Sequence, residues 1–326
     1  MKYKKLGRTG LDVSALCLGC MGFGEPDRGG HPWTLDEAAS RPLLHRALDA
    51  GINFFDTANV YSDGSSEEIL GKVLLEAVPR DTLVLATKVF GSAQTGPNQQ
   101  GLSRKAILRE VEASLRRLGT DYIDLYQIHR WDPHTPIEET LEALDSLVRS
   151  GKVRYIGASS MWAWQFAKSL HVSERHHLSR FVSMQDQVSL LYREEEREML
   201  PLCADAGVAV MAWSPLARGR LTRTTPTTTP RTEGDAYGRQ LFAQSEAADQ
   251  KVIEAVAAVA QARQRSMAQI ALSWVLGHPG VTVPIVGATR LAQLDEAIEA
   301  LDVVLTGEER QTLESPYVPH AVVGFS

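Results

Sequence analysis

Short, nearly continuous apolar runs alternate with amphipathic stretches along almost the whole chain. The apolar runs fall at 16–19, 53–55, 83–87, 125–128, 153–157, 181–184, 208–212 and 281–286. Strands of a parallel sheet are buried on both faces and read in this way. Helical spacing fills the gaps. Positions 42–50 stop at Gly51, and 65–77 carry Ile69, Val73, Leu74 and Ala77 on one face. Positions 103–118 open on Ser103 as a cap and close on Gly119. Positions 136–150 begin with Pro136 in the first turn and end at Gly151. Positions 194–206 end at Gly207; 250–262 and 267–276 precede the last strand, and 291–300 follow it. Ahead of all these, 3–6 and 13–16 flank a turn through Gly7-Arg8-Thr9-Gly10 and predict a hairpin.

Eight β-α units in series fit a closed barrel or an open doubly wound sheet. The open dinucleotide-binding sheet needs Gly-x-Gly-x-x-Gly after its first strand. Gly19, Gly22 and Gly24 approach that composition without its spacing. The expected fold is therefore of the α/β class, a (β/α)8 TIM barrel with an N-terminal β-hairpin, and 1–326 as a single domain. Neither a linker nor a repeat of fixed period breaks the chain. One stretch, 222–232, is rich in threonine and proline and has no hydrophobic pattern. It reads as a loop after the seventh strand, either a passive insertion or a lid.

Composition narrows the function. The 326 residues are 44% hydrophobic, ample for one large core, and barrels routinely reach this length. Net charge is −6, and no basic stripe of the kind that binds nucleic acid is present. No apolar run reaches the roughly 18 residues of a membrane span, and no apolar signal core follows Met1-Lys2-Tyr3-Lys4-Lys5. Three cysteines cannot build a disulfide framework, which predicts a reducing, cytoplasmic location. Cys17 and Cys20 have a redox-like spacing, but a zinc site would need a second pair.

In α/β barrels the functional groups sit at the carboxyl ends of the strands. Polar residues that interrupt apolar strands are therefore informative. The second strand runs into Asp56, the third into Lys88 and the fourth into His129, with Tyr61 five residues beyond Asp56. Singly, Asp56 could cap a loop, Tyr61 could be a packed aromatic and His129 a satisfied core histidine. Lys88 is harder to dismiss, because a buried lysine needs a partner, and Asp56 could supply it. Together they suit carbonyl reduction. Hydride addition leaves charge on oxygen, which needs a proton donor and electrostatic support. A phenol titrates near 10, and a neighbouring ammonium lowers that value. The histidine can direct the substrate oxygen by a hydrogen bond.

The run Gly51-Ile-Asn-Phe-Phe-Asp-Thr-Ala-Asn-Val-Tyr61 resembles the aldo-keto reductase signature around its catalytic Asp and Tyr. Thr87-Lys88, Gln127-Ile-His129, Leu6-Gly-Arg-Thr-Gly-Leu-Asp-Val-Ser14 and Leu18-Gly19 are similar too, and the resemblance extends to about Glu296. It is nearest to bacterial reductases similar to voltage-gated potassium channel β-subunits. The resemblance implies a tetrad of Asp56, Tyr61, Lys88 and His129, with Tyr61 as general acid. It implies that Ser159 and Gln185 hold a nicotinamide carboxamide and that Trp213 stacks on the ring. Ser214, Leu216 and Arg218 would contact pyrophosphate and ribose, although Arg218 could be a solvated surface charge. Gly287, Thr289 and Arg290 match the segment that takes an adenosine 2′-phosphate, which favours NADP(H) over NAD(H), unless Arg290 is simply exposed. Gln293 and Glu296 match adenine contacts. Three positions depart from the family pattern: Ser160 where Asn is usual, Asp186 where an amide is common, and Ala297 where Asn often stands.

Trp33, Phe90, Trp131 and Trp162 are candidate walls of an apolar substrate pocket, with core packing as the alternative for each. The partners expected are a small carbonyl substrate, no nucleic acid and no membrane, with a homo-oligomer allowed. A nucleotide-binding regulatory subunit of the channel β-subunit type is the rival reading. The chain starts directly at the hairpin, where such subunits carry an extension, and this favours a free-standing enzyme. A metal-dependent barrel hydrolase would need more ligands than the adjacent His176-His177 can offer, so no metal is expected.

Overall fold

The computed structural model describes residues 1–325 except Ala93, Pro226 and Gln244. Strands β1 (Tyr3–Lys5) and β2 (Asp12–Ser14) pair antiparallel as the expected hairpin. Eight further strands close a parallel barrel in chain order. They are β3 (Cys17–Gly19), β4 (Phe54–Asp56), β5 (Val84–Val89), β6 (Ile123–Ile128), β7 (Val153–Ser159), β8 (Phe181–Gln187), β9 (Ala209–Trp213) and β10 (Val283–Val286). The last strand, β10, pairs back onto β3. The fold is the predicted (β/α)8 TIM barrel with its N-terminal hairpin.

Alternate residues of each strand point into the barrel. Near the amino-terminal ends these are apolar: Cys17, Phe54, Val84, Ala86, Leu125, Ala209, Met211 and Val283 form one buried cluster. Leu6 and Val13 of the hairpin segment complete it and close that end. Lys4 Nζ on the Thr282 carbonyl (2.8 Å) and the Ser14 amide on Asn53 Oδ1 (2.8 Å) tie the hairpin to neighbouring strand starts. A second, larger cluster lies between the barrel and its surrounding helices. Further up the same inward rows the residues become polar. Asp56, Lys88, Gln127, Ser159 and Gln185 are all buried there. Ladder pairing sets Lys88 opposite Gln127 and Ser159 opposite Gln185.

The strands reach further than the apolar runs suggested. β5 continues to Val89, β7 to Ser159, β8 to Gln187 and β9 to Trp213. Lys88 and Gln185, expected to end strands, lie inside them, because backbone pairing persists where the interior changes from apolar to polar, while Asp56 and Ser159 do end theirs and His129 follows β6. The helix expected at 42–50 runs from Glu37 to Asp49, started by Asp36, whose side chain accepts from the Ala39 amide. Pro42 therefore sits inside this helix rather than at its start. The segment 194–206 divides into a short 3-10 turn and the helix Met199–Ala206. The helix Ala163–Arg175 escaped the hydrophobic pattern because Ser169 and Ser173 occupy buried positions beside Phe166 and Leu170. The helices Pro230–Gly234, Ala236–Phe242 and Gly307–Glu314 were not anticipated either.

Close packing of two outer helices generates one prediction. Gly71 lies where Ser65–Ala77 meets Arg104–Leu118. A β-carbon there would stand 2.2 Å from the Leu118 carbonyl oxygen, a backbone atom. Gly71→Ala should destabilise the fold by about 1–3 kcal/mol through overpacking. A lowered denaturant midpoint at unchanged slope is the expected result; an unchanged midpoint would mean that the two helices separate freely.

Candidate active site

Lys88 is the centre of the polar layer. Its ammonium donates to Asp56 Oδ2 at 2.5 Å, to the Thr57 carbonyl at 2.9 Å and to Tyr61 Oη at 3.2 Å. The second Asp56 oxygen accepts from Gln127 Nε2 and Gln185 Nε2, both at 2.9 Å. Gln185 Nε2 also lies 3.1 Å from Gln127 Oε1. The ring of His129 meets Tyr61 edge-on, with centroids 5.9 Å apart. Asp56, Tyr61, Lys88 and His129, taken from one strand, its following loop and two neighbouring strand ends, are thus brought together.

Local structure holds Tyr61 in place. The loop after β4 is tied down by Thr57 Oγ1 on Ser66 Oγ (2.8 Å), and Ser66 Oγ in turn donates to the Cys20 carbonyl. Asn59 Nδ2 donates to the Gly91 carbonyl and to Glu110 Oε2 at 2.8 and 2.9 Å. Just past Tyr61, Ser62 and Asp63 adopt left-handed backbone with φ of 45° and 49°. Such conformations persist where surrounding contacts over-determine them, and they gather at functional sites.

Burial alone would disfavour the charged form of Lys88. The adjacent Asp56, helped by Tyr61, outweighs it and holds the lysine above its ordinary value. His129 is driven well below the ordinary histidine value, first by burial and then by the charges of Lys88 and Arg130. The pocket therefore carries an ammonium–carboxylate pair beside a neutral imidazole.

A cleft of about 1060 Å³ opens above this group at the carboxyl ends of the strands. That is near the upper end of the range for small-molecule sites, roughly 300–1,000 Å³. Asp56, Tyr61 and His129 line it, as do Ser159, Gln185, Trp213, Ser214, Leu216, Arg218, Gly287, Thr289, Arg290, Gln293 and Glu296. The chain turns sharply after β9. Ser214, Ala217 and Arg218 have φ near 50°, and Gly219 has φ of 91°. Consecutive left-handed residues can converge backbone amides on an anion. Arg218 is not a solvated surface charge: its guanidinium is ion-paired with Asp235 and only 10% exposed. Its Nε is buried without a partner, a donor available to an anionic ligand. Arg290 is exposed at the start of the helix Leu291–Glu299. Gln293 folds back, its Oε1 accepting from the amides of Thr289 and Arg290 at 2.9 and 3.2 Å. These features suit a dinucleotide: a long cleft, cations and a helix amino terminus at one end, and an indole at the other.

Of the three departures from the family pattern, Ser160 has a structural role. Ser160 Oγ accepts from the Trp213 indole at 3.1 Å and so fixes that ring. Asp186 is fully buried, where its carboxyl feels the Ser160 amide and the charges of Glu195 and Arg130. Ala297 lines the cleft. Of the proposed aromatic walls, Trp33 lines the cleft. The other three are not among the residues that line it. Phe90 and Trp131 pack on the outer core, and Trp162 begins a helix, half-exposed against the Phe325 ring at 5.0 Å. Cys17 and Cys20 are buried, and burial pushes both thiols well above the usual range. Among the described residues, no group of three or more His, Cys, Asp or Glu could hold a metal ion. The threonine-rich stretch contributes Thr222, Arg223, Thr229 and Thr232 to the rim of the cleft, while Pro226 lies outside the described residues.

Two contributors had escaped notice. Gln127 braces Asp56, and Arg130 lines the cleft next to His129. Period-two alternation along β6, where Leu125, Gln127 and then His129 fall on one row, would have revealed the first.

Comparison with known proteins agrees with this geometry. The chain matches the model of the Aldo/keto reductase family over residues 15–317. It is 44% identical to versiconal hemiacetal acetate reductase of Aspergillus parasiticus, covering 99% of this chain and 98% of that one. It is 42% identical to an aldo-keto reductase of Alternaria alternata, covering 99% and 94% of the two chains. A Schizosaccharomyces pombe protein named provisionally as an aryl-alcohol dehydrogenase is also 42% identical, over 99% and 97%. These three are fungal proteins with enzyme names, and they lend no support to the expected placement beside bacterial reductases similar to channel β-subunits. Matched over nearly its whole length, this chain belongs to the aldo-keto reductases, oxidoreductases of carbonyl compounds that work with nicotinamide cofactors.

Proposed function

We propose that this protein reduces aldehydes or ketones to alcohols with NADPH, and that Tyr61 delivers the proton. The observation that carries this reading is the Lys88 ammonium, 3.2 Å from Tyr61 Oη and 2.5 Å from Asp56, at the foot of the cleft. NADPH, when bound, supplies the hydride. Charge then gathers on the carbonyl oxygen, and Tyr61 is the donor within reach to quench it. Lys88 stabilises the negative charge left on the phenol oxygen, and Asp56 keeps Lys88 charged in its buried position. Neutral His129 can offer an N–H to the same oxygen and fix its approach.

The cofactor would lie along the cleft. Ser159, Gln185 and Trp213 would hold the nicotinamide end, and Ser214, Leu216 and Arg218 the pyrophosphate. Gly287, Thr289, Arg290, Gln293 and Glu296 would hold the adenosine. Arg290, a planar fork without an ion-pair partner among the described residues, suits a 2′-phosphate and so NADP(H). The alternative, a nucleotide-binding regulatory subunit, is less favoured, because the four tetrad groups converge and the relatives carry enzyme names. Among the described residues no helix is long and apolar enough to cross a membrane. The three cysteines are free and buried, which suits the reducing cytoplasm.

Tyr61→Phe is expected to cut turnover roughly 10²–10⁴-fold. Its NADPH affinity, read by fluorescence titration, should stay close to that of the wild type. Turnover near the wild-type rate would reject the acid role. Arg290→Ala should weaken NADPH roughly 10- to 100-fold, the scale of one charged hydrogen bond, with little change for NADH. Equal losses for both nucleotides would show that Arg290 does not read the phosphate.

A further inference from the structure

Arg130 directly follows His129 past the end of β6 and lines the same cleft. Its guanidinium donates to the His129 carbonyl at 2.6 Å and to Tyr237 Oη at 3.4 Å. A guanidinium has five N–H donors, so several remain. Among the described residues no carboxylate lies within ion-pairing distance of it. The other cations near the tetrad are neutralised: Lys88 by Asp56 and Arg218 by Asp235. The buried Asp186 lies within electrostatic reach of Arg130. Burial, reinforced by Glu195, pushes its carboxyl well above the usual range, against the Ser160 amide and Arg130. A carboxyl so shifted sets less negative charge against the arginine, and it makes no ion pair with it. His129 is neutral. Beside His129 the cleft thus presents a cation without an ion-pair partner among the described residues, steadied by two hydrogen bonds, and Trp33, Trp213 and Tyr237 line the same cleft.

We propose that Arg130 anchors a carboxylate on the substrate, so that the preferred compounds are aromatic or other flat carbonyl compounds bearing an acid group. The planar fork matches a carboxylate in two-point geometry, and a cleft of low dielectric strengthens the pairing. Arg130 is then a specificity-determining residue: it holds one end of the molecule while the carbonyl meets Tyr61 and His129. This inference rests on the reductase reading above.

The test compares 4-carboxybenzaldehyde with 4-methylbenzaldehyde, which are similar in shape and differ in charge, in NADPH-dependent reduction. The wild type should favour the acid by tenfold or more in kcat/KM. In Arg130→Met that preference should fall roughly 10- to 100-fold, the effect of losing a charged hydrogen bond, and Arg130→Lys should restore part of it. A wild-type enzyme without preference, or a ratio unchanged in Arg130→Met, overturns the anchor while leaving the reductase reading intact. If neither aldehyde consumes NADPH, the reductase reading itself fails. Calorimetry on the wild-type protein with NADPH gives a second readout that needs no variant and no turnover. There 4-methylbenzoate should bind at least tenfold more tightly than 4-methylbenzamide, and equal affinities would overturn the anchor.

Discussion

A lysine ammonium with no exposure to solvent must find every hydrogen-bond partner inside the protein, and Lys88 finds three. One is the carboxylate that balances its charge, one is a backbone carbonyl and one is the phenol. An unpaired buried charge is strongly unfavourable, so the arrangement holds only if all its parts arrive together. This constrains the register of β4 and β5, the path of the loop from Thr57 to Tyr61, and the helix Ser65–Ala77 that anchors the loop through Ser66. The same ion pair that stabilises the lysine also sets the electrostatic conditions beside the phenol.

Around this pair the barrel changes character along its axis. The lower interior is hydrocarbon and closed by the hairpin; the upper interior is a web of neutral amides and hydroxyls. Gln127 and Gln185 satisfy the second oxygen of Asp56 without adding charge. The single Lys88–Asp56 pair therefore stays balanced, and the cleft above keeps its own pattern of charge. Outward from the strands, Asp186 and Glu195 form a separate buried acidic pair. Burial raises Asp186 and lifts Glu195 to about 7.

The walls of the cleft come from the loops, and their backbone is less regular. The left-handed residues after β9 turn the chain back over the cleft, and Asp235 draws Arg218 toward the helix Ala236–Phe242. Ser160, itself at a φ of 42°, holds the Trp213 indole through one hydrogen bond. Where the family pattern has an amide, this chain uses a shorter hydroxyl, and here that hydroxyl serves the protein's own tryptophan.

The amino-acid pattern alone determined the number and order of the barrel strands, the hairpin and the convergence of Asp56, Tyr61, Lys88 and His129. Burial on both faces and the alternation of strands with helices leave a direct mark in apolar spacing, and polar residues in such strands stand out. It did not reveal that Pro42 lies within a helix, or that a helix with buried serines covers 163–175. Those outcomes depend on neighbours distant in the chain. The roles of Gln127, Ser160 and Arg130 were likewise decided by tertiary structure. Each is defined by what stands across from it, a carboxylate, an indole or the cleft, and local spacing carries no record of a contact made between separate strands and loops.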